Sequence, residues 1–352
     1  MADLTDILLR QIDKFGPMSI ADYMTQCLFH PELGYYTTHI PIGAKGDFIT
    51  APEISQMFGE MLGLTIAQAW MDQGQPSRCI LAELGPGRGT LMADVLNATK
   101  NIAGFHDAVQ VTLVETSPVL KDIQQQTLAN YSPQWVPDVV ALPEDAPLFI
   151  VANEFFDCLP IHQFVRTQDG WQEQMVGAEN NALGFVIGKN HPIEMMGDGA
   201  MGDVRETCPS ALAIAQSLAR LIDTNGGAAL FIDYGYWEQA TDSLQALQNH
   251  KPVDVFHDCG RSDLTAHVDF KALSIACAKF TNTSALTDQG VFLERLGITA
   301  RAQSLAAKLS GDALENHITA HRRLTHPQEM GQLFKVLGLT PKTAAPIAGL
   351  SA

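Results

Sequence analysis

Four short stretches of this chain carry the residues able to do chemistry. "ILAELGPGRGTLMADVL" (80–96) places a carboxylate, Glu83, two residues before a turn with glycines at 85, 87 and 89. Gly85, Pro86, Gly87, Gly89 and Thr90 make a loop whose backbone can approach a ligand closely. A helix beginning near Thr90 would aim its N-terminal amides at an anion. The spacing G-x-G-x-G is neither the dinucleotide fingerprint G-x-G-x-x-G nor a phosphate loop ending in G-K-[ST]. An amino-acid carboxylate suits such a helix as well as a phosphate does. Glu115 closes "VQVTLVE", 26 residues beyond Gly89, and a carboxylate there can accept both hydroxyl hydrogens of a ribose. Glu83 suits an ammonium group, met directly or through water. Asp138, after "QWV", is placed to meet an adenine amine or is a plain loop aspartate. In "PLFIVANEFFDCLP" (147–160), Asn153, Glu154 and Asp157 follow a further apolar run.

Carboxylate, ammonium and ribose together describe S-adenosyl-L-methionine (SAM). Methyl transfer is an in-line displacement, so the protein's tasks are alignment and exclusion of water. Arginine is protonated in water, with a pKa above about 12. Paired acids such as Glu154 and Asp157 are the residue types that orient a guanidinium and favour the tautomer with an exposed lone pair. They suit an amine equally, and a helix-capping or loop-stabilising role is the alternative for both. Asp233, in "FIDYG", is either a site acid or structural. His267 contacts substrate or packs. His317 and His321 stand at i, i+4, but without the Glu of H-E-x-x-H or a third ligand they make no metal site, and no metal is expected.

Parallel strands must position these groups. "CILAEL", "VQVTLVE", "LFIVAN" and "AALFIDYG" are near-continuous apolar runs separated by helical segments, which predicts an α/β fold with a sheet covered on both faces. Ser117-Pro118 reads as an N-cap and first-turn proline. Leu4, Ile7, Leu8, Ile12 and Phe15 form one helical stripe, and Phe58, Leu62, Ile66 and Ala69 another. Asp169-Gly170 between alternating runs signals a hairpin. The expected order is a helical cap (1–75), the first part of a Rossmann-like core (76–162), an inserted β appendage (163–204), a core continuation (205–236), an inserted acceptor-side loop (237–268) and C-terminal core strands and helices (269–352).

The 352 residues are 46% apolar and 17% charged, ordinary for a globular protein. A net charge of −17 repels nucleic acid and anionic lipid, so neither is an expected partner. No apolar run approaches the roughly 20 residues that span a bilayer. The acidic N-terminus resembles neither a secretory signal nor a mitochondrial presequence. Six scattered cysteines without a C-x-x-C pair fit a reducing, cytoplasm-like compartment; a processed matrix protein would look similar.

Beyond these groups, "GPMSIADYM", "HPELGYYT", "GDFITAPEISQMFGE", "ELGPGRGTLMADVL", "ANEFFDCLPIHQF", "FIDYGY", "DLTAHVDF" and "QGVFLERLGI" follow one another from residue 16 to about 298, with "MGQLFKVL" after them. In these stretches the chain resembles the MidA family of class I methyltransferases, which includes a mitochondrial complex I assembly factor. The resemblance implies a class I methyltransferase fold with an N-terminal cap and SAM as cofactor. It implies methylation of an arginine of the complex I (NADH:ubiquinone oxidoreductase) peripheral-arm subunit that lines the quinone site. It maps cofactor contacts onto Glu83–Gly89 and Glu115, and the acceptor loop onto Asn153–Pro160. "GDFITAPEIS" would close over the cofactor, bringing Asp47, Thr50 and Glu53 near it, with Asp47 and Glu53 as helpers in catalysis. Arg261 and Ser262 depart from the proline and acidic residue that relatives favour before D-L-T, at the lip of the acceptor site. The alternatives are methylation of a small molecule at oxygen or nitrogen, and a SAM-binding assembly scaffold with little turnover.

Overall fold

The structure is a computed structural model that describes residues 3–38, 50–189, 197–238 and 242–351. Its residues group into two compact units. One comprises Ile49–Phe156, Leu212–Trp237 and Phe270–Ala352; the other comprises Met1–Phe48, Asp157–Ala211 and Glu238–Asp269. The helices expected together as a cap over 1–75 therefore fall in separate units, because Leu4–Phe15 and Ile20–Phe29 belong to the second and Gln56–Asp72 to the first.

The first unit is built on the expected sheet. Cys79–Leu84 pairs in parallel with Val109–Val114 on one side and Leu148–Asn153 on the other. Gln134–Val136 extends the sheet beyond Val109–Val114, and Gly227–Tyr236 extends it beyond Leu148–Asn153. Phe334–Pro341 then runs antiparallel to Gly227–Tyr236 and carries Thr281–Thr283 on its outer side. All six residues of Cys79–Leu84 and of Leu148–Asn153 are buried, which is why these runs are apolar without alternation. Strand order reverses between these two strands. Ligands of open α/β sheets bind beyond the carboxyl ends of the strands at such a switch point.

Helix Gln56–Asp72 packs through Phe58, Leu62, Ile66 and Ala69, all buried as the stripe predicts. Its neighbour is Thr90–Thr99, reached across two glycines: a Cβ at Gly59 would lie 2.5 Å from that of Asp94, and one at Gly63 would lie 2.8 Å from the Val95 carbonyl oxygen. Ser117 caps Pro118–Thr127 as expected, accepting the Leu120 N–H.

The second unit carries the appendage. His162–Thr167 and Gly170–Glu179 form the hairpin, flanked by Val204–Thr207, Ala182–Ile187 and the short strand Met18–Ser19. Residues 237–268, expected as a loop, contribute a small sheet of Lys251–Val253, Gln245–Gln248 and Asp263–Thr265. Leu4, Leu8 and Ile12 of the N-terminal helix are buried, but Phe15 is 76% exposed. The helix ends at that residue, Gly16 reverses the chain at φ +90°, and Lys14 Nζ sits 4.8 Å from the ring centroid. No helix among the described residues is long and apolar enough to cross a membrane.

Candidate active site

Register sets the face of the sheet on which the site acids lie. Glu83 stands opposite Leu113 and Val151 on the two neighbouring strands. Alternation along those strands brings Glu115 and Asn153, two residues further on, to the same face at the carboxyl edge. Three polar residues separated by up to 70 positions are thus gathered where the strand order reverses.

Glu83 is 3% exposed, and the backbone amide of Met92 favours its charged form. Met92 is the third residue of helix Thr90–Thr99, whose cap residue, Gly89, has no side chain to offer. Glu83 Oε2 has no hydrogen-bond partner among the described residues. Burial pushes this carboxyl up to about 8, opposed by the Met92 amide. Asn153 is 8% exposed; its Nδ2 donates to Glu154 Oε1 at 3.1 Å, and its Oδ1 is also without a partner among the described residues. A buried polar atom left unsatisfied is expensive. Two such acceptors near the switch point are what an ammonium group would complete.

The glycine turn is formed as its spacing implies. Gly85, Gly87 and Gly89 have φ of +59°, +52° and +79°, a region glycine enters without strain. The Gly85 N–H donates to the Val114 carbonyl, and the Gly89 N–H to that of Pro86 at 2.7 Å. A Cβ at Gly85 would come within 3.1 Å of the Phe155 ring. From helix Ala51–Ile54, Glu53 reaches this turn: Thr90 Oγ1 donates to its Oε1 at 2.6 Å, and Arg88 Nη1 lies 3.6 Å from Oε2. Asp47 lies outside the described residues.

Glu115 is nearly buried. Its Oε1 accepts the N–H groups of Thr116 and Ser117, both at 2.8 Å, and its Oε2 accepts Gln124 Nε2 at 3.1 Å. Burial raises its pKa, offset in part by these bonds. Three of a carboxylate's roughly four acceptor positions are therefore filled, leaving room for one hydroxyl hydrogen rather than the two expected. Asp138 Oδ1 accepts the Val140 and Ala141 N–H groups at 2.9 and 3.0 Å and caps a 3-10 turn. Its loop role is the one on view.

Glu154 follows Asn153 with φ +51°, an uncommon conformation for a residue with a side chain. Its Oε1 accepts the Ala51 N–H at 3.2 Å, so it does cap a neighbouring turn. Asp233 is fully buried and structural: Oδ2 accepts the Phe155 and Phe156 N–H groups and Oδ1 that of Tyr234. It pins the segment that follows Asn153. Asp157 belongs to the second unit, where its carbonyl accepts the Ala266 N–H at 2.9 Å. Burial of its hydroxyl pushes the half-buried Tyr36 up, with Asp263, Cys158 and Asp157 adding to the shift, and Tyr36 donates to both Asp263 oxygens at 3.0 Å. In the same unit the His267 N–H donates to Ser243 Oγ, and burial lowers the imidazole. His317 and His321 face different partners, the Ala302 carbonyl and Thr299 Oγ1.

Two contributors have no signature in the sequence. The Met92 amide acts on a carboxylate of the preceding strand, and Gln124, in mid-helix, has the type of a solvated surface residue yet is fully buried. Only the helical period, which puts Gln124 four residues after buried Leu120, hinted at its direction.

Comparison with known proteins bears on all of this. Residues 61–287 match a family model described as S-adenosyl-L-methionine-dependent methyltransferase. The chain is 35% identical to the frog (Xenopus tropicalis) protein named Protein arginine methyltransferase NDUFAF7, mitochondrial, covering 99% of this chain and 89% of that protein. It is 35% identical to the human protein of the same name, over 95% of this chain and 82% of the other. Among solved structures it is similar to a superfamily member from Burkholderia thailandensis crystallised with S-adenosyl-homocysteine bound, at 26% identity and a TM-score of 0.84, covering 98% of this chain and 94% of that one.

Proposed function

Because the chain belongs to the S-adenosyl-L-methionine-dependent methyltransferases, we propose that it methylates an arginine nitrogen of a protein, a peripheral-arm subunit of complex I, during assembly of that complex. The observation that carries the choice of acceptor is the extent of similarity. Relatives named as protein arginine methyltransferases align over 95–99% of this chain, far beyond the cofactor loop alone.

The residues present fit the cofactor. Glu83 Oε2 and Asn153 Oδ1 are buried acceptors awaiting donors, suited to the ammonium of SAM. The Gly85–Gly89 turn and the start of helix Thr90–Thr99 favour its carboxylate. Glu115 offers one acceptor position to the ribose. Glu53 braces the turn through Thr90 and Arg88. When bound, SAM supplies a methyl group activated on a sulfonium. The chain's own contribution is alignment: Asp233 fixes the backbone of Phe155 and Phe156, and Glu154 presents a carboxylate to orient a guanidinium through its N–H groups. The cysteines stand as thiols, in keeping with work in a reducing cytoplasm.

The test uses lysate from cells lacking the protein, supplied with the purified enzyme and methyl-labelled SAM, with products resolved by mass spectrometry. A single labelled protein, modified on arginine and belonging to complex I, is the expected result. Label confined to small metabolites would overturn the protein acceptor. Absence of label, despite SAM binding measured by calorimetry, would overturn turnover itself.

A further inference from the structure

Gln124 is a buried polar side chain between the glycine turn and Glu115. It lies in helix Pro118–Thr127 with no exposed surface. Trp135 Nε1 donates to its Oε1 at 2.8 Å, while its Nε2 donates to the Gly87 carbonyl at 2.8 Å and to Glu115 Oε2 at 3.1 Å.

These three partners dictate the amide's orientation. An indole N–H can only donate, so it must face the amide oxygen. A peptide carbonyl and a carboxylate only accept here, so both must face the amide nitrogen. Rotating the amide by half a turn would set a donor against a donor and an acceptor against two acceptors. Trp135 is itself held in register, opposite Leu113 on the neighbouring strand. A single amide, oriented from outside the site, therefore joins the glycine turn to the acid on the next strand. The other oxygen of Glu115 is filled by the Thr116 and Ser117 amides, so the one open acceptor position lies on the oxygen that Gln124 holds.

We propose that Gln124 is a positioning residue for the cofactor, locking the Glu115 carboxylate to the Gly87 turn so that Oε2 presents one acceptor position to one ribose hydroxyl. The inference rests on the reading of Glu115 as the ribose acceptor. Gln124 acts through Glu115 and Gly87, and Trp135 sets its orientation.

The experiment measures SAM affinity by calorimetry, steady-state KM and kcat, and ligand-free melting for Gln124→Met, Trp135→Phe, Glu115→Gln and the double variant Glu115→Gln/Gln124→Met. Methionine keeps the length of glutamine and removes both donors. Gln124→Met is expected to weaken SAM binding roughly tenfold or more, raising KM for SAM with kcat at saturation little changed. Trp135→Phe, which leaves Gln124 present but its amide free to rotate, is expected to weaken binding by a few-fold. The double variant is expected to lose less than the product of the two single losses, because both changes act on the shared Glu115–Gln124 contact. Parent affinity in Gln124→Met, or multiplying losses in the double variant, would overturn the proposal. If Gln124→Met does not fold, Trp135→Phe decides: parent affinity there overturns it equally. Parent affinity in Glu115→Gln would instead overturn the ribose assignment beneath it.

Discussion

The backbone N–H of Met92 favours the charged form of the Glu83 carboxylate, so a strand residue faces the first turn of the helix that follows the glycine turn. The arrangement follows from Gly89. A glycine there allows the φ of +79° the turn requires but provides no capping oxygen. Glu83 brings a carboxylate to that uncapped first turn, and its Oε2 has no hydrogen-bond partner among the described residues. One buried side chain thus faces both the helix start and the site proposed for the cofactor.

Glu83→Gln preserves shape and keeps an acceptor oxygen, but it cannot offer charge to an ammonium. A hydrogen bond to a charged group contributes roughly 1.5–3 kcal/mol, so SAM affinity should fall at least about tenfold. The ligand-free protein should melt a few degrees higher than the parent at pH 8, since an unpaired buried acid has been removed. Calorimetry and thermal melting check both; a variant that binds like the parent would remove Glu83 from the site.

The pH dependence follows from the same group. With its pKa pushed up to about 8, Glu83 is protonated at neutral pH in the ligand-free protein and must lose that proton to pair with an ammonium. SAM affinity should therefore rise about tenfold per pH unit from pH 6 towards 8. Above about 8 the α-amino group itself deprotonates, so affinity should pass through a maximum near pH 8. Stability has the opposite trend in this window. The raised carboxyl destabilises the fold not at all below its unfolded value of about 4.3, increasingly as pH rises, and fully above about 8. Binding titrations across pH, with and without Glu83→Gln, should show the acid limb only in the parent.

Gly85→Ala combines two penalties. A side chain at φ +59° strains the backbone by roughly 1–2 kcal/mol, and its Cβ would meet the Phe155 ring at 3.1 Å. Melting should fall by a few degrees and SAM affinity by roughly tenfold or more. A bulkier valine should abolish binding and lower stability further, and thermal melting with and without SAM separates the two effects.

Asp233→Ala strips the acceptor from three backbone N–H groups, those of Phe155, Phe156 and Tyr234. Leaving a buried donor unsatisfied costs about 1–3 kcal/mol, so a loss of roughly 3 kcal/mol or more is expected. Asp233→Asn, which keeps one oxygen, should fall between alanine and the parent. Denaturant unfolding gives the ranking; equal stability of all three would contradict the pinning role.

Glu154→Gln keeps an acceptor for the Ala51 N–H and removes the negative charge. Methyl transfer to arginine should slow by roughly a hundredfold, with SAM affinity changed less than about threefold. Single-turnover rates and binding measured on the same preparation check this. An unchanged rate would take Glu154 out of the acceptor site.

What could be read before folding was what depends on neighbours in the chain. Cys79–Leu84 and Leu148–Asn153 announce themselves by unbroken apolarity, and Ser117-Pro118 by capping chemistry that spans three residues. The gathering of Glu83, Glu115 and Asn153 was legible because strand ends of a parallel sheet share one edge. Phe15 misled because the helical stripe continues one residue past the contact it serves. Gln124 and Asp233 were opaque for a different reason. Their partners lie on other elements, and a glutamine or aspartate identifies itself as buried only once those partners are in place. The sheet formed by 245–265 was hidden in a polar stretch whose strands are only three or four residues long.

The unit of Met1–Phe48, Asp157–Ala211 and Glu238–Asp269 is assembled from three separated stretches of chain, and this has a consequence for biosynthesis. Met18 pairs with Val176, the Tyr23 hydroxyl donates to the Val255 carbonyl at a separation of 232 residues, and Tyr36 reaches Asp263. At translation rates of roughly 5–20 residues per second, the amino-terminal helices leave the ribosome on the order of ten to fifty seconds before their last partners. Until those last partners emerge, part of the cluster that buries Leu4, Leu8, Ile20 and Leu28 in the finished protein is missing. Emergence of the Glu238–Asp269 stretch, rather than of the first helices, is the event after which this unit can close.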